Sequence, residues 1–169
     1  MVLRADVIDT AINHCFKKNR PLIYFSPKGK PLNQDTIEKF SLTKGVSIIC
    51  GHFEGIDQRI IDLHDIEEIS IGDYILSGGE IATIVFLDSL VRLLPDVLGN
   101  DNSKKIETFT DGLLEYPQYT KPNEFKGMKI PDILLSGNHK AIKEWQENQA
   151  LSLTKLRRPD LIDKKKDKI

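Results

Sequence analysis

Residues 68–80 read EISIGDYILSGGE, with three glycines and three acids packed between a short β-rich run and a long apolar segment. Each glycine raises the entropy lost on folding, so this many at such offsets imply a backbone approached closely by something else. The next segment, GEIATIVFLDSLVRLL (79–94), predicts the strongest helix in the chain. Ile81, Ile84, Val85, Leu87, Leu90, Val91 and Leu94 are its expected apolar face, and Pro95 ends it. Upstream the same alternation recurs. LIYFS (22–26) and VSIIC (46–50) read as strands with EISI (68–71), while NQDTIEKF (33–40) and IDQRIIDL (56–63) read as helices. Strands alternating with helices define an α/β layer with a largely parallel sheet. Residues 1–18 read as one further helix, and three strands leave apolar surface for missing strands or a partner subunit to cover.

The 169 residues suit one domain, or one domain with a small appendage, and the composition is that of an ordinary soluble protein. No apolar run approaches the roughly 18 residues of a membrane span, and no leading stretch resembles a signal peptide, so the expected compartment is the cytoplasm. Cys15 and Cys50 lie far apart without a CxxC pair, which argues against a disulfide framework or a zinc site; both are expected to be buried thiols. His14, His52 and His64 show no ligand spacing, so no metal site is expected from protein side chains. The net charge of −1 hides an asymmetry. Residues 1–100 hold 10 basic against 14 acidic side chains, and residues 101–169 hold 14 against 11. An anionic partner is better sought in the second half, although Lys164, Lys165 and Lys166 read as a solvated tail.

After Gly99 the texture changes. Residues 100–113 are polar and read as an interdomain linker, separating a first domain at 1–99 from a small, mainly helical second domain at 114–169. In the latter, IPDILLS reads as a strand or turn and a helix runs from Asn138 to about Leu151. Ile133, Leu134, Leu135, Ile142, Trp145 and Leu151 are its apolar set.

All the glycine-bearing turns of the first domain follow expected strands: Ser26-Pro27-Lys28-Gly29, GHFEG (51–55) and IGDYILSGGE (71–80). In a parallel α/β sheet such turns share one edge, where ligands bind. Neither a Walker loop nor GxGxxG occurs. Gly78-Gly79 before a helix could receive a phosphate, yet Asp73 and Glu80 would repel one. A ligand without phosphate, carrying positive charge, fits better.

CGHFEGIDQR (50–59), EISIGDYILSGGE (68–80), DGLLEYPQYTKP (111–122), LLSGNH (134–139) and LRRPDL (156–161) follow one another as in the bacterial tRNA (guanine-N1)-methyltransferase (TrmD) family, which the chain resembles over essentially its whole length. The resemblance implies a SPOUT-type α/β fold with a deep trefoil knot, S-adenosylmethionine bound bent within that knot, and a homodimer with each active site at the subunit interface. Its substrate would be tRNA, methylated at the guanosine of position 37, 3′ to the anticodon. By motif match, Tyr24, Phe25, Ser26, Gly51, Phe53, Gly55, Ile71, Gly72, Tyr74, Leu76, Gly78, Gly79 and Ala82 would line the cofactor pocket. A sulfonium cofactor without phosphate accounts for both the glycines and the acids. Phe53 departs from the tyrosine usual in CGxYEG, losing a hydroxyl but keeping the ring, and Ala82 replaces a small residue or proline.

Guanine N1 holds its proton at neutral pH, so methylation needs a base for that proton and a cation to offset charge growing on O6. The family uses an aspartate in the interdomain loop and an arginine on the long helix. Arg92 matches the arginine, against the plainer reading of a surface side chain beside the helix dipole. Glu107 falls at the base position, with one more methylene than aspartate, and Asp111 is the nearest alternative. Asn138 and His139 match residues facing the RNA, Asn138 also suiting a helix N-cap. Lys121, Arg157 and Arg158 are the phosphate-contact candidates. The family also depends on magnesium, held with the substrate.

Family members begin earlier than Met1, carrying a first strand, a helix and a glycine-rich loop that help grip the anticodon arm. Roughly the first quarter of the usual chain is absent by this alignment. A second expectation follows, a catalytically silent fragment that binds S-adenosylmethionine and dimerises. A third, methylation of ribose 2′-hydroxyls, has little support in the tail motifs.

Overall fold

The computed structural model describes residues 1–16, 19–95, 97, 108–109 and 112–166. The chain divides into two compact units, Met1–Gly99 and Asn100–Ile169.

In the first unit, α1 (Ala5–Cys15) precedes β1 (Leu22–Pro31), α2 (Gln34–Ser41), β2 (Ser47–Ile49), α3 (Gln58–Leu63), β3 (Glu67–Ser70) and α4 (Glu80–Val91). The three strands form one parallel sheet in the order β2-β1-β3. β1 is central, and Leu22 to Ser26 are all buried. The two-residue period of a strand then sorts its side chains. Leu22 and Tyr24 face a core with Ile12 of α1, Ile60 and Ile61 of α3, Ile56 and Ile66. Ile23 and Phe25 face the opposite core, with Ile37 and Phe40 of α2, Ile69 of β3, and Ala82 and Phe86 of α4. Helices therefore cover both faces, as a parallel sheet requires.

Side chains fix the helix starts. Asn33 accepts from the Thr36 amide at 2.9 Å to cap α2, and Asp57 accepts from the Arg59 amide at 3.0 Å to cap α3. The Arg59 guanidinium beside Asp57 holds that carboxyl down at about 2. His64 and Asp9, 2.7 Å apart, tie α3 to α1.

The long helix packs by a different face from the expected one. Ala82 and Phe86 are its buried residues, with Leu90 and Leu93 partly covered, whereas Ile81, Ile84, Val85, Leu87 and Val91 are exposed. The helix is apolar on almost every side, so periodicity does not choose a face. Shape chooses it: Ala82 lets the helix approach the sheet, and Phe86 wedges between Phe25 and Phe40 at ring separations of 5.7 and 5.3 Å. Cys15 and Cys50 are both exposed rather than buried. The first helix is also shorter than the expected 1–18, running from Ala5 to Cys15, with residues 17 and 18 outside the described set.

The second unit contains a hairpin of β4 (Glu124–Phe125) and β5 (Met128–Lys129), then α5 (Asp132–Leu135), α6 (His139–Arg157) and α7 (Pro159–Lys166). IPDILLS therefore holds a helical turn rather than a strand. None of its expected apolar set is fully buried; the buried positions are Ala150 and Thr154, both on α6. The Thr154 hydroxyl accepts from the Leu114 amide at 2.9 Å and donates to the Ala150 carbonyl at 2.7 Å, which anchors the segment leading into the hairpin. Most of the expected linker at 100–113 lies outside the described residues.

Phe86 is fully buried in the aromatic cluster. Phe86→Ala is expected to cost about 3–5 kcal/mol in urea denaturation, and a loss below about 1 kcal/mol would contradict this packing.

Candidate functional site

The glycine turns meet at the carboxyl edge of the sheet, around a cleft of about 350 Å³. The first wall comes from β1. Phe25 and Lys30 both stand opposite Ile69, so residues 26–29 loop out of register and return. Gly29 makes the return possible: a Cβ there would collide with the Ile69 amide nitrogen and lie 2.5 Å from the Glu68 carbonyl carbon. At the top of the loop, buried Ser26 accepts from the Lys28 amide at 3.2 Å.

The second wall is the 51–55 turn, joined to the start of α4 by main-chain pairing. The Gly79 amide donates to the Gly51 carbonyl at 3.0 Å, and His52 pairs antiparallel with Gly78. A Cβ on Gly79 would lie 3.0 Å from the Cys50 Cα. Beneath this turn lies the Tyr24 phenol, 3.0 Å from where a Cβ on Gly55 would sit. Burial, and then the negative charge of Glu68, push the Tyr24 hydroxyl above its ordinary range. Phe53 is exposed at φ 59°, a left-handed conformation uncommon for a bulky side chain, and so presents its ring outward.

The third wall follows β3. Ser70 Oγ donates to the Gly72 carbonyl and accepts from the Gly72 amide, both at 3.2 Å, folding the chain back at the strand end. Gly72 has φ 149°, and the Tyr74 ring packs where its Cβ would be. Between the 51–55 turn and the start of α4, His52 Nε2 and Glu80 Oε1 are 2.6 Å apart. The Glu80 carboxyl is held below its usual range by its own amide and then by His52.

Every residue named by sequence for the pocket, from Tyr24 to Ala82, lines this one cleft. The cleft also takes in Lys28, His52, Glu54 and Ile75, which sequence reading passed over although they stand inside the same turns, and Glu68 of β3. Their signal was position within those turns rather than residue type. Arg92 is exposed at the C-terminal end of α4 and is not among the cleft residues, its amide donating to Asp88 at 3.4 Å. Glu107 and Asp111 lie outside the described residues. In the second unit, Asn138 caps α6 by accepting from the Ala141 amide at 3.2 Å, and His139 is the first helical residue. Lys121, His139 and Arg157 are exposed. Arg158 is engaged within its own unit, bound to Asp160 by two hydrogen bonds of 2.8 Å and lying 6.0 Å over the Phe109 ring.

These features define a class: an α/β protein with a glycine-rich cleft at the carboxyl edge of a parallel sheet. The family description "tRNA (Guanine-1)-methyltransferase TrmD" matches residues 1–164. A tRNA (guanine-N(1)-)-methyltransferase of Agrobacterium fabrum is 53% identical over 165 residues, covering 97% of this chain and 71% of the relative. Relatives of the same name from Pelagibacter ubique and Bartonella tribocorum are each 51% identical, over 98% and 95% of this chain and 73% and 69% of their own lengths. The chain belongs to the tRNA (guanine-1)-methyltransferase TrmD family.

Because Gly29 lies against the β3 backbone, Gly29→Ala is expected to separate β1 from β3 at the cleft. The cost should be about 1–3 kcal/mol in urea denaturation; an unchanged midpoint would contradict the close approach.

Proposed function

We propose that this chain is a tRNA (guanine-N1)-methyltransferase that uses S-adenosylmethionine to methylate N1 of the guanosine at position 37, 3′ to the anticodon. The observation carrying this reading is the three-walled glycine cleft, together with the family to which the chain belongs. The cofactor fits the residues present. Main chain is brought to the edge at Gly29 and Gly79 where Cβ atoms would intrude. Glu54 and Glu68 line the cleft and supply negative charge suited to a sulfonium.

When bound, S-adenosylmethionine supplies an electrophilic methyl group. In the proposed reaction, guanine N1 would take up that methyl group, leaving the neutral thioether, and the Glu107 carboxylate would accept the N1 proton. Arg92 offsets charge developing on guanine O6. The cleft-lining residues would hold the methyl donor. Asn138, His139, Lys121 and Arg157 contact the tRNA, with Arg158 held ready by Asp160. Among the described residues no three His, Cys, Asp or Glu side chains gather as a metal site. The magnesium that the family resemblance implies would be held with the substrate.

The same reading includes a trefoil knot through the cleft turns, a cytoplasmic setting and a homodimer with the reaction centre at the subunit interface. Ile81 and Ile84, more than half exposed beside the cleft end of α4, support the dimer because a second copy would cover them. Among the described residues no helix is long and apolar enough to cross a membrane.

Single-turnover transfer of labelled methyl to matched tRNA transcripts tests the proposal. Label is expected on N1 with guanosine at position 37 and not with adenosine there. Glu107→Gln and Arg92→Ala are each expected to slow transfer about 10²-fold or more. Wild-type rates in Glu107→Gln would remove that residue as base, and no transfer by the unaltered chain would favour a cofactor-binding fragment.

A further inference from the structure

The geometry points to the His52–Glu80 pair as a positioning clasp that holds two walls of the cleft at the spacing needed by S-adenosylmethionine. It rests on the proposed cofactor reading. The two residues are far apart in sequence, one in the 51–55 turn and the other opening α4, yet their Nε2 and Oε1 atoms approach to 2.6 Å. The contact does not stand alone. Directly beneath it the turns are joined by the Gly79 amide on the Gly51 carbonyl and by the pairing of His52 with Gly78. Gly78 runs under the pair: a Cβ there would lie 2.5 Å from Glu80 Oε2 and 2.7 Å from His52 Cε1. The side-chain bridge therefore closes over the backbone bridge, and both turns carry cleft-lining main chain.

Both side chains are about half exposed, at 49% and 53%, so the pair adds little to global stability. Its effect is local. Without it, the turns retain only their main-chain pairing and gain freedom to splay, and a ligand bound between them must restore the spacing at its own expense. Neither residue accepts the methyl group or a substrate proton, and neither is a catalytic residue. The consequence is a loss of cofactor affinity and a raised KM for S-adenosylmethionine, rather than a lower kcat at saturation.

A double-mutant cycle on the full chain tests this, with S-adenosylmethionine titrated calorimetrically in the absence of RNA and KM and kcat measured alongside. His52→Leu and Glu80→Ala are each expected to weaken binding about fivefold, and the double variant no more than either alone. His52→Arg, which can still donate to Glu80, should bind within about twofold of wild type. Independent, additive losses, unchanged binding in both single variants, or failure of His52→Arg to restore affinity would overturn the clasp. No binding by the unaltered chain would instead overturn the cofactor reading, and the clasp with it.

Discussion

The rest of the structure depends on main chain passing against main chain at the carboxyl edge of the sheet. Gly29 lets the looped-out end of β1 return onto Glu68 and Ile69, and Gly79 lets the start of α4 lie against Cys50 and Gly51. Side chains at either place would hold the turns apart. With them in contact, loops that follow three different strands become the walls of one cleft, and ligand contacts can come largely from the backbone. The family's use of a cofactor without phosphate is consistent with this design, because a phosphate site would need unopposed amides or cations where Glu80 and Glu68 stand.

The close approach holds only if the sheet beneath it is firm. β1 is buried on both faces, and Phe25, Phe40 and Phe86 lock α2 and α4 to it. The same helix has its N-terminus at the cleft and leaves Ile81, Ile84 and Val85 uncovered. Its two sides thus do different work: one fixes the cleft and the other offers an apolar surface of the kind a second subunit covers.

Much of this was legible in the sequence, for physical reasons. The strand and helix alternation predicted the parallel sheet and placed the glycine-bearing turns at one edge of it, while the individual pocket residues followed from the resemblance to the family. The packing face of α4 was not legible, since a helix apolar on almost every side carries no phase; its choice depends on the fit of Phe86 between two distant rings. Cys15 and Cys50 were expected to be buried from the habit of their residue type, and nothing local showed that they end at the surface. The His52–Glu80 contact was invisible because it joins residues of ordinary character across 28 positions. In the tail, Asn138 was legible as a cap from its place before a helix, whereas the pairing of Arg158 with Asp160 required the turn between α6 and α7.

The central claim is that the three glycine turns together form the cofactor site. Amide hydrogen exchange with and without S-adenosylmethionine tests it most directly. The account predicts added protection concentrated in residues 26–29, 51–55 and 70–79, with the hairpin and helices of the second unit unchanged. Protection centred elsewhere in the chain, or confined to one of these turns, would contradict it.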